Sequence, residues 1–364
     1  MFLPSRIHQE PAITGSECHL LIVPNGGLGD VIMATGLFEL AKRHLPAWRI
    51  HAAAFEPQHE EIYAGNPHLD GVVMYRRHHP RSIWRQIAAT VRNFVVMRQF
   101  GAAFYAQPPS DLGFTTTFPI RASGIPTGHL PWYKDRDEAW RTLPAYAALQ
   151  QAFARWLELP ESEPYAPRVL LTLSEREAGR THLCGLDLDP DRTAAIVYDA
   201  GTHLKRLSPP VLSEVCRFLY RRGYQILVIQ SRNNPSIPPA IASNAGVPVR
   251  VLPLTASLRT LMAILSQCRL TVSPDTGLAH LAAALAVPGI VLFGPTHGMW
   301  KPAGQSSYAI RKSGACPERT EFWCTTCHHR EYVKDGQHPA PCMFWFKQED
   351  LKQALDYLEE QELG

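Results

Sequence analysis

Four stretches of the chain bring reactive side chains close together. Pro274-Asp275-Thr276-Gly277, with His280 three residues on, offers a carboxylate, a hydroxyl and an imidazole beside a glycine. Asp and Thr are ordinary helix caps. The same geometry also leaves the N–H groups of Thr276 and Gly277 free to hold a phosphate, and the small Gly277 and Ala279 would let a ligand approach the backbone. Asn25-Gly26-Gly27-Leu28-Gly29-Asp30 is a glycine-rich turn ending in a carboxylate. Asp30 at a helix start either caps it or stays ionised for chemistry, the helix dipole contributing about 0.3–1 kcal/mol. The loop Asp199-Ala200-Gly201-Thr202-His203-Leu204-Lys205-Arg206 carries cations that are either solvated or aimed at a ligand. Finally Cys316, Cys324-Thr-Thr-Cys327 and Cys342 could close a four-thiolate site for zinc or iron, with His328 and His329 as spare ligands. A single Cys-x-x-Cys pair leaves unconnected thiols as the alternative.

These stretches need a scaffold, and the flanking patterns supply one. Residues 269–273 alternate and are rich in β-branched types, which predicts a strand. Leu278, Leu281, Ala282 and Leu285 fall at helical spacing, Pro288-Gly289 stops the run, and 290–293 is the next strand. The loop of such a βαβ unit, at the carboxyl end of a parallel strand, faces a ligand crevice. Upstream, a strand over 19–24 leads through the Gly turn into a helix over 31–44. Strands follow at 49–55, 71–75 and 102–106, with a helix between the first two. A helix over 138–157 and a linker at 160–167 come next. The rhythm then repeats, with strands at 194–198, 225–230 and 249–253, helices over 208–222 and 257–267, and a closing helix over 349–361. At 364 residues the chain is too long for one typical core. The expected class is therefore α/β with two domains, divided as 1–186, 187–346 and a terminal helix at 347–364.

Composition narrows the function. Hydrophobic content of 45 % and charge of 19 % describe a globular chain, and a net charge of +3 gives no case for nucleic-acid binding. The opening residues contain no apolar core of signal-peptide length and no segment approaches a membrane span, so the expectation is the cytoplasm. Reduced thiols follow from that compartment, with Cys18, Cys184, Cys216 and Cys268 as core fillers. From Gly71 to Ser110 no acidic residue occurs, while Arg76, Arg77, Arg81, Arg85, Arg92 and Arg98 do. Arg81, Arg85 and Arg92 with Trp84, Ile87, Val91 and Val95 predict a basic amphipathic helix, suited to an acidic acceptor, to an anionic membrane surface at the inner face of the cytoplasmic membrane, or simply to solvent. Residues 107–133 form a long polar loop broken by proline and glycine, a length often functional.

The string Asp275-Thr276-Gly277, His280, an alanine run and Leu292-Phe293-Gly294-Pro295-Thr296, together with the turn Gly26-Gly27-Leu28-Gly29-Asp30, resembles the signature of glycosyltransferase family 9, the bacterial heptosyltransferases. The resemblance implies a GT-B fold, two Rossmann-like doubly wound domains facing a central cleft, and an inverting, metal-independent transfer from a nucleotide sugar such as ADP-heptose to a lipopolysaccharide core sugar, a related glycan or a protein. It places Asp30 as the catalytic base, beside the loop glycines Gly26, Gly27 and Gly29, and a carboxylate there is ready to accept a hydroxyl proton. Lys205, with Arg206 as alternate, would contact the donor diphosphate. Thr202, Asp275, Thr276, Gly277 and His280 complete the donor side. The chain departs from the family wording near Asp111, which is the reserve base. The closing helix in GT-B proteins often packs back on the first domain. Related heptosyltransferases that modify autotransporter proteins carry a comparable iron-binding cysteine finger, which implies a structural rather than catalytic metal. Two readings of other classes stand beside this one: a dinucleotide-dependent oxidoreductase, which the glycine spacing disfavours, and a non-catalytic assembly protein of the same fold.

Overall fold

The structure is a computed structural model that describes residues 18–24, 26–75, 82–106, 118–119, 122–130, 143–160, 163–231, 244–253, 257–296, 298–304, 306–311, 339–344 and 346–363. Asp111, Arg76, Arg77, Arg81, Cys316, Cys324 and Cys327 lie outside them.

Two all-parallel sheets dominate. In the first, β1 (His19–Val23), β2 (Arg49–Ala54), β3 (Gly71–Met74), β4 (Ala102–Tyr105) and β5 (Thr127–His129) lie in the order β3-β2-β1-β4-β5. The second holds β6 (Thr193–Val197), β7 (Gln225–Ile229), β8 (Val249–Leu252), β9 (Leu270–Pro274), β10 (Gly289–Phe293) and β11 (Ser307–Arg311), ordered β11-β10-β9-β6-β7-β8. Parallel pairing is explained by composition. The central strands HLLIV, TAAIV, QILVI and GIVLF are near-continuous apolar runs, and strands covered by helices on both faces need no polar side. Each order reverses at one point, between β1 and β4 and between β6 and β9, and a crevice opens outside the carboxyl strand ends there.

The predicted helix over 31–44 begins earlier, as α1 (Leu28–Met33), and continues after Ala34 as α2 (Thr35–His44). The first domain adds α3 (Pro57–Tyr63), α4 (Ile83–Met97) and α5 (Ala145–Trp156). Next comes α6 (Leu173–Gly185), opened by a capping box in which Thr172 and Glu175 satisfy each other's amides. This helix precedes the expected boundary at 186/187, yet Gly179 lies directly on the Ala263 backbone of α8 (Leu258–Leu265), beside the second sheet. The second domain also contains α7 (Pro209–Arg221) and α9 (Gly277–Ala284).

The closing helix α10 (Gln348–Leu363) does not return to the first domain. Its apolar face, Leu351, Ala354, Leu355 and Leu358, is buried in the core of the second, Tyr357 meets Tyr308 of β11 at 5.1 Å between rings, and Gln348 hydrogen-bonds Glu214 of α7. The open face of β10 and β11 is thereby covered.

On the other side of the second sheet one apolar cluster runs without a break through both domains, from Leu20, Val31 and Phe38 to Leu261, Leu281 and Leu285. Polar ties reinforce it. Thr35 Oγ1 accepts from Arg168 N at 2.9 Å, Val169 N donates to Ala284 O at 3.1 Å, and Arg259 of α8 donates to Glu61 of α3 through its amide at 2.6 Å while its guanidinium grips Glu175. No helix among the described residues is long and apolar enough to cross a membrane.

Candidate functional site

The loops leaving β1, β6 and β9 converge where both sheets reverse their strand order, and a cavity of about 430 Å³ lies between them. Gly27, Leu28, Gly29, Asp30 and Met33 line it from the first domain; Gly201, Lys205, Asp275, Thr276, Gly277, His280 and Trp300 line it from the second. Volume does not single this cavity out. One of about 490 Å³, at Asp187, Arg192, Tyr220 and Arg250, sits at the amino ends of β6–β8, the wrong end of a parallel sheet for a crevice ligand. Of the residues expected from sequence, Gly26 and Thr202 are chain neighbours of the lining rather than part of it, and Arg206 turns away to Asp199 at 2.6 Å.

Two helix starts face each other across the cavity. Gly27 is the N-cap of α1 and Thr276 that of α9, and no cap side chain takes up a first-turn amide at either, so the positive ends of both helix dipoles point at the cavity. Their proximity depends on glycine. A Cβ on Gly277 would come 2.7 Å from Leu28 Cβ and 3.0 Å from Gly29 N, and one on Gly29 would press on the His280 ring at 3.0 Å. The small size of Gly277 thus serves the contact between domains as well as access to the cavity. Ala279, expected at the ligand face, is instead buried against Val291 and Phe293.

The electrostatics are set by one buried carboxylate. Asp275 is 6 % exposed; its Oδ2 accepts from Lys205 Nζ at 2.8 Å and from Thr296 Oγ1 at 2.6 Å. The Lys205 bond ties the 3₁₀ turn His203–Lys205 to the end of β9, the Thr296 bond holds the carboxylate in place, and Lys205 lines the cavity. Behind it, burial alone would raise the Asp199 carboxyl, but bonds from Ser231, the Ala200 amide and Arg206 outweigh it and hold the group below its ordinary range. Burial, helped by the Lys205 charge and opposed by Asp275, lowers His280, which keeps the ring neutral at pH 7.

Sequence reasoning missed Met33 and Trp300 in the lining and the anchoring role of Thr296. Thr296 carried a signal, as the last residue of the Leu-Phe-Gly-Pro-Thr string; Trp300, in the 3₁₀ turn Gly298–Trp300, carried none. Among the described residues no group of three or more His, Cys, Asp or Glu side chains could hold a metal, and of the four-cysteine cluster only Cys342 is described, half-buried.

The architecture and motifs match known proteins. The structure superposes on a glycosyl transferase family 9 protein from Veillonella parvula with a TM-score of 0.74 at 15 % identity, covering 96 % of this chain and 99 % of that one. ADP-heptose lps heptosyltransferase II of E. coli gives a TM-score of 0.69 at 16 % identity, covering 95 % and 100 %. These likenesses establish a GT-B fold. In sequence, 41 % identity over 70 residues links the chain to lipopolysaccharide heptosyltransferase 1 of Pseudomonas aeruginosa, a stretch that is 19 % of this chain and spans only 20 % of that relative's length. The model of glycosyltransferase family 9 (heptosyltransferase) matches residues 142–329, just over half of the chain, and the protein belongs to that family.

Proposed function

We propose that the protein transfers a heptosyl group from ADP-heptose to a hydroxyl of a lipopolysaccharide core sugar, or of a related glycan or protein, with inversion and with no metal in the reacting step. The observation carrying this reading is the single cavity that joins the Asp30 turn of one domain to Lys205 and the Asp275–Gly277 helix start of the other. The donor diphosphate rests on the first-turn amides of α9 and on Lys205. Asp275 is a positioning residue that keeps Lys205 in place, and neutral His280 packs the α1 turn against α9. The acceptor oxygen attacks the anomeric carbon as Asp30 takes its proton. The bond to ADP breaks, and the charge arriving on the leaving diphosphate is offset by the Lys205 ammonium and the helix dipole. Asp111 remains the reserve base. The four cysteines hold a structural zinc or iron, a proposal that rests on their spacing and is tested by metal analysis of wild type against Cys327→Ser.

Calorimetric titration with ADP and UDP, followed by assay of ADP release from ADP-heptose with a lipopolysaccharide-core acceptor in EDTA, tests the reading. ADP should bind, Lys205→Ala should weaken it, and turnover should persist in EDTA. Binding of UDP but not ADP would overturn the donor, and loss of turnover in EDTA the metal-free step.

A further inference from the structure

The helix α4 is built inside out. Its core-facing positions include Thr90, whose hydroxyl is spent on the Gln86 carbonyl at 2.8 Å, and the fully buried Asn93, beside Ala89 and Met97. Four of its large apolar side chains are exposed instead: Trp84 is 77 % exposed, Ile87 48 %, Val91 56 % and Val95 55 %. Spaced three, four and four residues apart, these four form one stripe along the helix. The exposed Arg85 and Arg92 fall on one flank of it, and no acidic residue occurs between Gly71 and Ser110. Core packing does not account for the stripe, since its four residues belong to no buried apolar cluster among the described residues, and a merely solvated face would not carry tryptophan, isoleucine and two valines in register.

We propose that α4 is an interfacial helix that lies on an anionic lipid bilayer, with the Trp84–Val95 stripe at the headgroup boundary and Arg85 and Arg92 against lipid phosphates. An apolar stripe flanked by arginine is the pattern of helices that lie in the plane of a membrane, and the one-signed charge selects an anionic surface. Direction also fits. In a parallel sheet the helix between β3 and β4 runs back from the carboxyl strand ends, so Trp84 and Arg85 stand at the sheet edge that bears the Asp30 turn. A bilayer under α4 would bring a lipid-borne acceptor to that edge, which deepens the transferase reading and rests on it for that consequence alone.

Vesicle flotation tests the proposal without donor or acceptor, so its outcome is independent of turnover. Wild type should float with vesicles of phosphatidylcholine and phosphatidylglycerol in equal amounts, and not with phosphatidylcholine alone. Trp84→Ser with Val91→Ser should lower the partition coefficient about tenfold or more, because two apolar contacts with the lipid are lost. Arg85→Glu with Arg92→Glu should lower it by at least fivefold per arginine, roughly the worth of a basic residue at an anionic surface, and should remove the salt dependence. All four positions changed in these variants are surface sites, so unchanged thermal midpoints certify the fold. Failure of wild type to float, equal binding to both vesicle types, or an unaffected Trp84/Val91 variant would overturn the assignment. So would light scattering that shows a dimer dispersed by the Trp84/Val91 variant in a protein that does not float, which would give the stripe to a second copy of the chain.

Discussion

The two walls of the cleft share a topology and are held in different ways. On the second-domain wall, side chains fix one another: Asp275 accepts from Lys205 and Thr296, while Asp199 gathers Arg206, Ser231 and the Ala200 amide. On the first-domain wall the Asp30 turn is positioned by its own helix start and by close contact of Leu28 and Gly29 with Gly277 and His280. The difference teaches that the proposed grip on a diphosphate is prearranged by a buried ion pair, whereas the placement of the proposed base depends on how closely the two domains meet.

The largest effect should come from the first-domain wall. Asp30→Asn keeps the shape of the turn and removes the proton acceptor, so turnover should fall about 10²–10⁴-fold with ADP affinity unchanged. A parallel loss of ADP binding in calorimetry would erase the division of labour between the walls. Next is Lys205→Ala, which leaves Asp275 buried with Thr296 alone. Breaking a buried pair costs about 3–5 kcal/mol, and the 17 % exposure of Lys205 places this case at the lower end. Adding Asp275→Asn should return most of the thermal stability and none of the ADP affinity; recovery of both would make the pair purely structural.

Gly277→Ala should cost about 1–3 kcal/mol through overpacking, because the new methyl meets backbone and Cβ of the opposite domain. Its signature is a lower thermal midpoint together with reduced turnover, and an unchanged midpoint would mean that the domains part without cost.

The smallest effect concerns the Arg259 clasp. Hydrogen bonding by Arg259 draws the Glu175 carboxyl from 4.5 down to about 2, against burial and with help from Thr172. A depressed carboxyl stabilises the fold above the unfolded value and loses that contribution as pH falls from about 4.5 to about 2. Partial exposure of the pair limits it to about 1 kcal/mol. The midpoint advantage of wild type over Glu175→Gln should therefore be present at pH 6 and shrink towards pH 3; parallel curves would remove the ion pair from the ledger of domain contacts.

Much of the scaffold was legible because local signals agreed. The 269–296 unit announced itself by alternation, a Pro-Asp-Thr-Gly turn and helical leucine spacing, and β9, α9 and β10 follow it within a residue or two. The α6 helix offered only the Thr172-x-x-Glu175 capping spacing and no apolar period: Gly179 and Leu183 are its only buried residues, Leu173 is exposed, and its place is decided by contact with α8. Three-residue β5 sits inside a stretch whose prolines and glycines predicted only loop. Within the site, residue types and turns pointed to Asp30, Lys205 and Asp275, but the bond joining two of them spans 70 residues of sequence, and Trp300 reaches the cavity only through the tertiary fold. The solvent-facing stripe of α4 illustrates the converse, since periodicity found the amphipathic helix and could not tell which face looked inward.

The apolar cluster threading both domains has a mechanical consequence. With greasy side chains continuous along one flank and the cavity opening on the other, the halves are bound like a book along its spine. Sliding or full separation would wet that whole seam, so any movement of one half against the other is restricted to a swing about it.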